Sequence, residues 1–253
     1  MPIAHRPNSQ PLSILVLTMG LVLALTSAAA AQDWIEYQNN EDGFKVNFPG
    51  EPKITDVPWV TEQGYIIPAR IYSGEQGSGK YSMTVVDYTV IERLGMERSE
   101  KCPVGAETCQ GQPSGGLRYA IGPGYATQEI RDGIVFASFK YLQRDGAKLT
   151  EYLWNWEDLV EGHQIHLTNA DGSRTFLFIA MHENKLYILD AMVPKGYPEP
   201  GLFQQSLGWV DKQGRGVRYQ AIYVNEIHGL RLDPPPPLAG GAAAPPPAAV
   251  PAR

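Results

Sequence analysis

The chain has 253 residues, with 21 basic against 27 acidic side chains and a formal net charge of −6. The charges are spread without long blocks, which argues against nucleic acid and anionic membrane surfaces as partners, since both reward clustered Lys and Arg. The length suffices for one sizeable core or two small ones.

Residues 1–31 read as an export signal. His5 and Arg6 open it, Ile14 to Leu25 form a twelve-residue apolar run, and Ala29-Ala30-Ala31 supply an A-x-A cleavage site before Gln32. An uncleaved anchor would need about 20 predominantly apolar residues, and Ser13, Thr18, Thr26 and Ser27 interrupt the run. Cleavage removes one arginine and no acid, leaving a charge of −7. No cysteine follows the apolar run, so a lipid-modified N-terminus is not expected. The mature protein is expected in the periplasm, without cytoplasmic cofactors and without a later membrane span.

From 32 to 232 the sequence reads as a single exported domain dominated by alternation, the period of half-buried strands. Phe44, Val46 and Phe48 alternate with Lys45 and Asn47. Tyr65 to Tyr72 and Tyr81 to Val90 flank Gly74-Glu75-Gln76-Gly77-Ser78-Gly79-Lys80 and read as a hairpin. That loop satisfies part of a phosphate-binding motif, but position 81 is Tyr where Ser or Thr would be needed, and a strand follows where a helix would be. Ile91 to Lys101 is a candidate helix, weakened by about 1 kcal/mol at Gly95. Cys102 and Cys109 enclose a short loop; in an exported protein such a pair is expected to form a disulfide worth about 2.5 kcal/mol.

Ile134 to Tyr141 is read as a strand, as are Thr150 to Trp156, Gln164 to Thr168, Thr175 to Met181 and Leu186 to Val193. Together they would make a five-stranded antiparallel meander. Asn169-Ala170-Asp171-Gly172 marks a tight turn within it. Pro200 to Leu207 suits a short helix, and Trp209-Val210 with Val217 to Val224 suits a final hairpin. Residues 233–253 hold eight prolines in twenty-one residues and no aromatic, too little burial to offset the entropy of ordering; a disordered tail is expected. The expected fold class is α+β, a mainly antiparallel sheet with one or two short helices packed on it.

Glu41-Asp42-Gly43-Phe44-Lys45-Val46-Asn47-Phe48-Pro49-Gly50-Glu51-Pro52 resembles the first strand of the PsbP/Mog1-like group, whose secreted bacterial members open with a similar segment. Residues 33–224 are also similar to uncharacterised exported proteins of Gram-negative bacteria, through Val160 to His163, Leu167 to Arg174 and Phe203 to Leu207. The resemblance implies an adaptor, assembly or binding domain without catalysis. It supplies no catalytic residues.

Three constellations remain as candidate sites. Tyr152, Trp154 and Trp156 share one strand face. Such stripes are more often core beneath a helix, the alternative being a groove for a sugar, peptide or lipid with Trp156 as the exposed member. Glu161, His163 and His182 are a candidate metal set. His166, three residues from His163, should face away, whereas a hairpin symmetric about Ala170–Ser173 pairs Asn169 with Arg174 and hence position 161 with 182. A Ser/His/Asp grouping from distant positions is open, although neither Gly-x-Ser-x-Gly nor Ser-x-x-Lys occurs in the mature domain. The expected function is non-catalytic: a periplasmic ligand-binding or envelope-assembly accessory domain, with an unknown small ligand or envelope protein as partner and no cofactor. The competing class is a hydrolase, metal-dependent or otherwise, built on Glu161, His163 and His182.

Overall fold

The computed structural model describes residues 34–100 and 124–225; the export signal, the Cys102/Cys109 pair and the proline-rich tail lie outside the described residues. Strand alternation produces two antiparallel sheets. The larger has seven strands, ordered β3-β4-β5-β9-β8-β7-β6: β3 (Lys53–Val60), β4 (Ile66–Gln76), β5 (Gly79–Asp87), β6 (Lys148–Glu157), β7 (Val160–Thr168), β8 (Arg174–His182) and β9 (Lys185–Val193). The smaller, ordered β1-β2-β10-β11, combines β1 (Trp34–Asn39), β2 (Phe44–Pro49), β10 (Gly208–Val210) and β11 (Gly216–Val217). Helices α1 (Ile91–Glu100), α2 (Gly124–Leu142) and the one-turn α3 (Gly201–Gln204), with a 3-10 turn at Tyr88–Val90 leading into α1, complete the described elements. The class is α+β and mainly antiparallel, as the alternation predicts.

Burial follows from which faces are covered. Phe44, Val46 and Phe48 of β2 point inward with Phe178, Tyr187, Phe203 and Trp209 to form one core. Ile130 and Ala137 of α2 form the other with Ile165, Leu177, Ile179 and Ile188. Strand β8 lies between the two cores and is buried from Thr175 to His182. A strand covered on both faces needs a near-continuous apolar run, which Phe176 to Met181 supplies. After β5, in the middle of the large sheet, the chain crosses through α1 and α2 and re-enters at the far edge as β6. Strands β7, β8 and β9 then step back until β9 pairs with β5. This path lays α2 over β7 and β8 and leaves β6 on the rim. Among the described residues no helix is long and apolar enough to cross a membrane.

The loop at 74–80 is a hairpin. Gln76 pairs with Gly79 across Gly77-Ser78. Three expectations need correction. Residues 134–141 are helical, so the meander has four strands, β6 to β9. The buried members of that helix, Ile130, Gly133, Ala137 and Ser138, recur at helical spacing. However, Val135 and Phe139 on the outer face are apolar too, which blurs that period into a strand-like run. The final hairpin is shorter than expected: it consists of Trp209 opposite Val217 and Val210 opposite Gly216, and Tyr223 instead bridges Val160 in parallel.

The third correction is the β7–β8 register, which differs by one residue. The Asn169 amide donates to the Ser173 carbonyl and the Gly172 amide to the Asn169 carbonyl, closing a three-residue loop. Gly172, at φ +80°, takes the left-handed position that such a loop requires. Asn169 therefore opposes Ser173, Thr168 pairs with Arg174, and every partner beyond is displaced by one.

Gly162 sits where β7 approaches β8 most closely. A Cβ there would lie 2.5 Å from the Ile179 carbonyl oxygen and 2.8 Å from Phe178 Cζ. Gly162→Ala is expected to destabilise the fold by about 1–3 kcal/mol, read as a lower midpoint in urea at unchanged slope.

Candidate functional site

The crossover leaves an uncovered strip between α2 and the edge strand β6. On β6, Tyr152, Trp154 and Trp156 recur at every second residue and are 46%, 58% and 49% exposed; Val135 and Phe139, one turn apart on α2, are 56% and 52% exposed. The stripe is thus not core, and all three of its aromatic members are open to solvent. Between these elements lies a cavity of about 220 Å³, lined by Ile130, Ile134, Met181 and Trp154, with Arg131 and Glu161 supplying charge. Val224 and Asn225 close its remaining side. A volume below the usual range of about 300–1,000 Å³ for a whole small ligand suits one ring or one side chain of something larger.

His163 fixes the floor of the strip. It is 4% exposed, and its Nδ1 lies 2.7 Å from Ser138 Oγ and 3.1 Å from the Tyr152 hydroxyl. The rings of Trp154 and Tyr152 meet its ring edge-on, at 4.4 and 5.1 Å between centroids. The Ser138 hydroxyl donates to the Ile134 carbonyl, one helical turn back, at 2.8 Å. With that proton committed, Ser138 Oγ accepts from His163 Nδ1–H, an assignment made from the network. Burial lowers the His163 pKa and keeps the ring neutral. The pair has the composition of a nucleophile and a base but the opposite proton direction, so it clamps α2 to β7 rather than activating the serine. Ser138 carries no sequence signal that would have singled it out. Alternation places it in a strand, and only the helix brings it to His163.

Of the candidate metal set, Glu161 and His163 lie on the helix-facing side of β7. His182 does not. The one-residue register difference turns it to the opposite face, since a slip of one exchanges the two faces of a strand. There its ring stacks on Trp209 at 4.2 Å and its Nε2 meets the Tyr219 hydroxyl at 2.5 Å. Position 161 opposes 181, as the neighbouring pair Gly162 and Ala180 requires. Among the described residues no group of three His, Cys, Asp or Glu side chains could hold a metal ion. His166 does face away from His163, against Phe176, with its Nδ1 3.4 Å from Glu151.

Two larger depressions are more polar. One, of about 600 Å³, holds Arg144 and Asp190, which pair with each other at 3.6 Å. The other, of about 850 Å³, holds Asp42 and Lys185, likewise 3.6 Å apart. Their principal charges already have partners within the protein. The α2–β6 strip instead leaves large apolar groups in water. Comparison of the chain with protein-family models and with curated proteins returned no match.

Proposed function

We propose that this protein is a non-catalytic, exported binding domain that holds a ligand or an envelope partner by an apolar face in the α2–β6 groove. One observation carries the reading. Five large apolar side chains from two elements stand about half exposed beside a cavity of about 220 Å³, and contiguous apolar surface rimmed by polar groups marks interaction sites. Isolated exposed apolar residues are ordinary; five on facing elements, held by the Ser138–His163–Tyr152 contact, are not. The resemblance of residues 41–52 to PsbP/Mog1-like proteins is in keeping with an adaptor role.

The test is a thermal-shift screen of the secreted protein against glycans, envelope lipids and peptides, repeated with Trp154→Ala. A ligand present at 100 times its dissociation constant adds about 2.7 kcal/mol, or roughly 5–10 °C for a chain of this size. That shift is expected to vanish in Trp154→Ala, whose own midpoint should stay near that of the wild type because the side chain is already half exposed. A shift that survives the substitution places the ligand elsewhere and removes the groove assignment.

A further inference from the structure

Strand β6 pairs with β7 on one side and forms the rim of the large sheet. The two rims of that sheet are built differently. Strand β3, on the other rim, carries Pro58 in mid-strand with Lys53 and Asp56, devices that discourage pairing because proline has no amide proton and charges repel a neighbour. From Tyr152 to Trp156, β6 has no proline, glycine or charged residue. Its irregularity is confined to the start, where the pairing shifts between Leu149 and Glu151. Among the described residues the remaining stretch is a regular edge with no strand on its outer side.

Its two faces differ in chemistry. Tyr152, Trp154 and Trp156 share the α2-facing side, and Trp154 lines the cavity. The alternate positions place Glu151 and Glu157 on the other face, with Leu153 and Asn155 between them. Glu151 is engaged by the Gln164 side chain, which donates to it at 2.6 Å. Glu157 is different. Its pKa is pushed up to about 7 by burial and by the neighbouring Asp158, and among the described residues no cation answers it. A partly buried carboxylate beside a second acid is a receptor for an incoming positive charge.

Resting on the groove assignment above, we propose that β6 accepts an extended peptide as an added strand, one that alternates apolar side chains directed toward α2 with lysine or arginine directed toward Glu151 and Glu157. Main-chain pairing supplies the attachment and the alternating side chains supply selectivity, as in other strand-addition complexes. The stretch from Tyr152 to Glu157 spans about 20 Å, enough for six peptide residues. The cavity beside Trp154 takes one apolar side chain.

The experiment is titration calorimetry of the secreted protein with a capped octapeptide alternating lysine and valine. A second peptide of the same sequence is N-methylated at alternate residues, and a third carries glutamate in place of lysine. The first peptide is expected to bind wild type and to weaken about tenfold or more on N-methylation, which deletes several main-chain donors at once. It should also weaken severalfold against Glu157→Gln, and the glutamate peptide should not bind. If N-methylation has no effect while Trp154→Ala abolishes binding, the groove reading stands and strand addition is overturned. If Trp154→Ala binds the first peptide as wild type does, both readings fail. Absence of binding, with self-association of the protein in sedimentation equilibrium, makes a second copy the occupant and overturns the proposal. Equal binding of the lysine and glutamate peptides overturns the assignment of a basic partner.

Discussion

Trp209→Ala is expected to lower the unfolding free energy by about 3–5 kcal/mol and the melting midpoint by roughly 6–20 °C. Trp209 is 1% exposed and sits on β10, where the smaller sheet meets the larger. Its ring packs edge-on against Tyr187 at 4.9 Å and is tilted over His182 at 4.2 Å. Its Nε1–H donates to the Glu157 carbonyl at 3.2 Å, so the residue that joins the two sheets also anchors the end of β6 that carries the candidate site. Truncation removes the contacts of a large aromatic from a filled interior and leaves a cavity that the surrounding strands refill only in part. The comparison is Trp154→Ala, the same chemical change at a side chain 58% exposed, which should cost less than about 1 kcal/mol. Denaturant titrations of both variants read the contrast directly. Equal losses would contradict the burial difference from which both expectations are drawn.

The strands were legible where one face is polar and the other apolar. Phe44 to Phe48 shows this, as does the hairpin across Gly77-Ser78. Legibility failed where both faces are apolar. Helix α2 carries Ile130 and Ala137 inward and Val135 and Phe139 outward, so its polar residues do not mark a face. The property that concealed the helix is the one that makes it a wall of the groove: the side chains that spoil its period are those left facing β6. The register of β7 against β8 failed for a narrower reason. The Asp-Gly signal centres a symmetric turn on Asp171-Gly172, whereas Gly172 occupies the left-handed position closing a three-residue loop. One residue in the loop moved His182 from the face of Glu161 to that of Trp209. The aromatic spacing on β6 was readable. Its exposure was not, because exposure depends on α2 lying over β7 and β8, which no local pattern encodes.

Acid should reveal two groups of opposite sign, one buried and one half-buried. His182 is pushed down to about 3 by burial, with Lys185 adding to the effect. Below its ordinary value of 6.5 the unfolded chain takes up a proton that the folded one refuses. The stability held by the neutral ring is therefore fully present above that pH and is lost on acidification, by about 1.4 kcal/mol per unit. Glu157, pushed up to about 7, works the other way. Between pH 7 and its ordinary value of 4.5 the folded chain holds the extra proton, so acidification stabilises the fold, though by less than the full linkage value because this carboxyl is partly solvated. The directions of His163 and His166 follow His182, and those of Glu129 and Asp190 follow Glu157. The wild-type profile is thus expected to be shallow from pH 7 to 4.5 and to fall below it. In His182→Phe, which keeps a flat ring against Trp209, the curve should gain about 3 kcal/mol relative to wild type between pH 6.5 and 4. In Glu157→Gln the relative change should run downward between pH 7 and 4.5 and be smaller. Urea titrations across that range separate the two, and curves parallel to wild type for either variant would show that the group's environment does not distinguish its charged form from its neutral one.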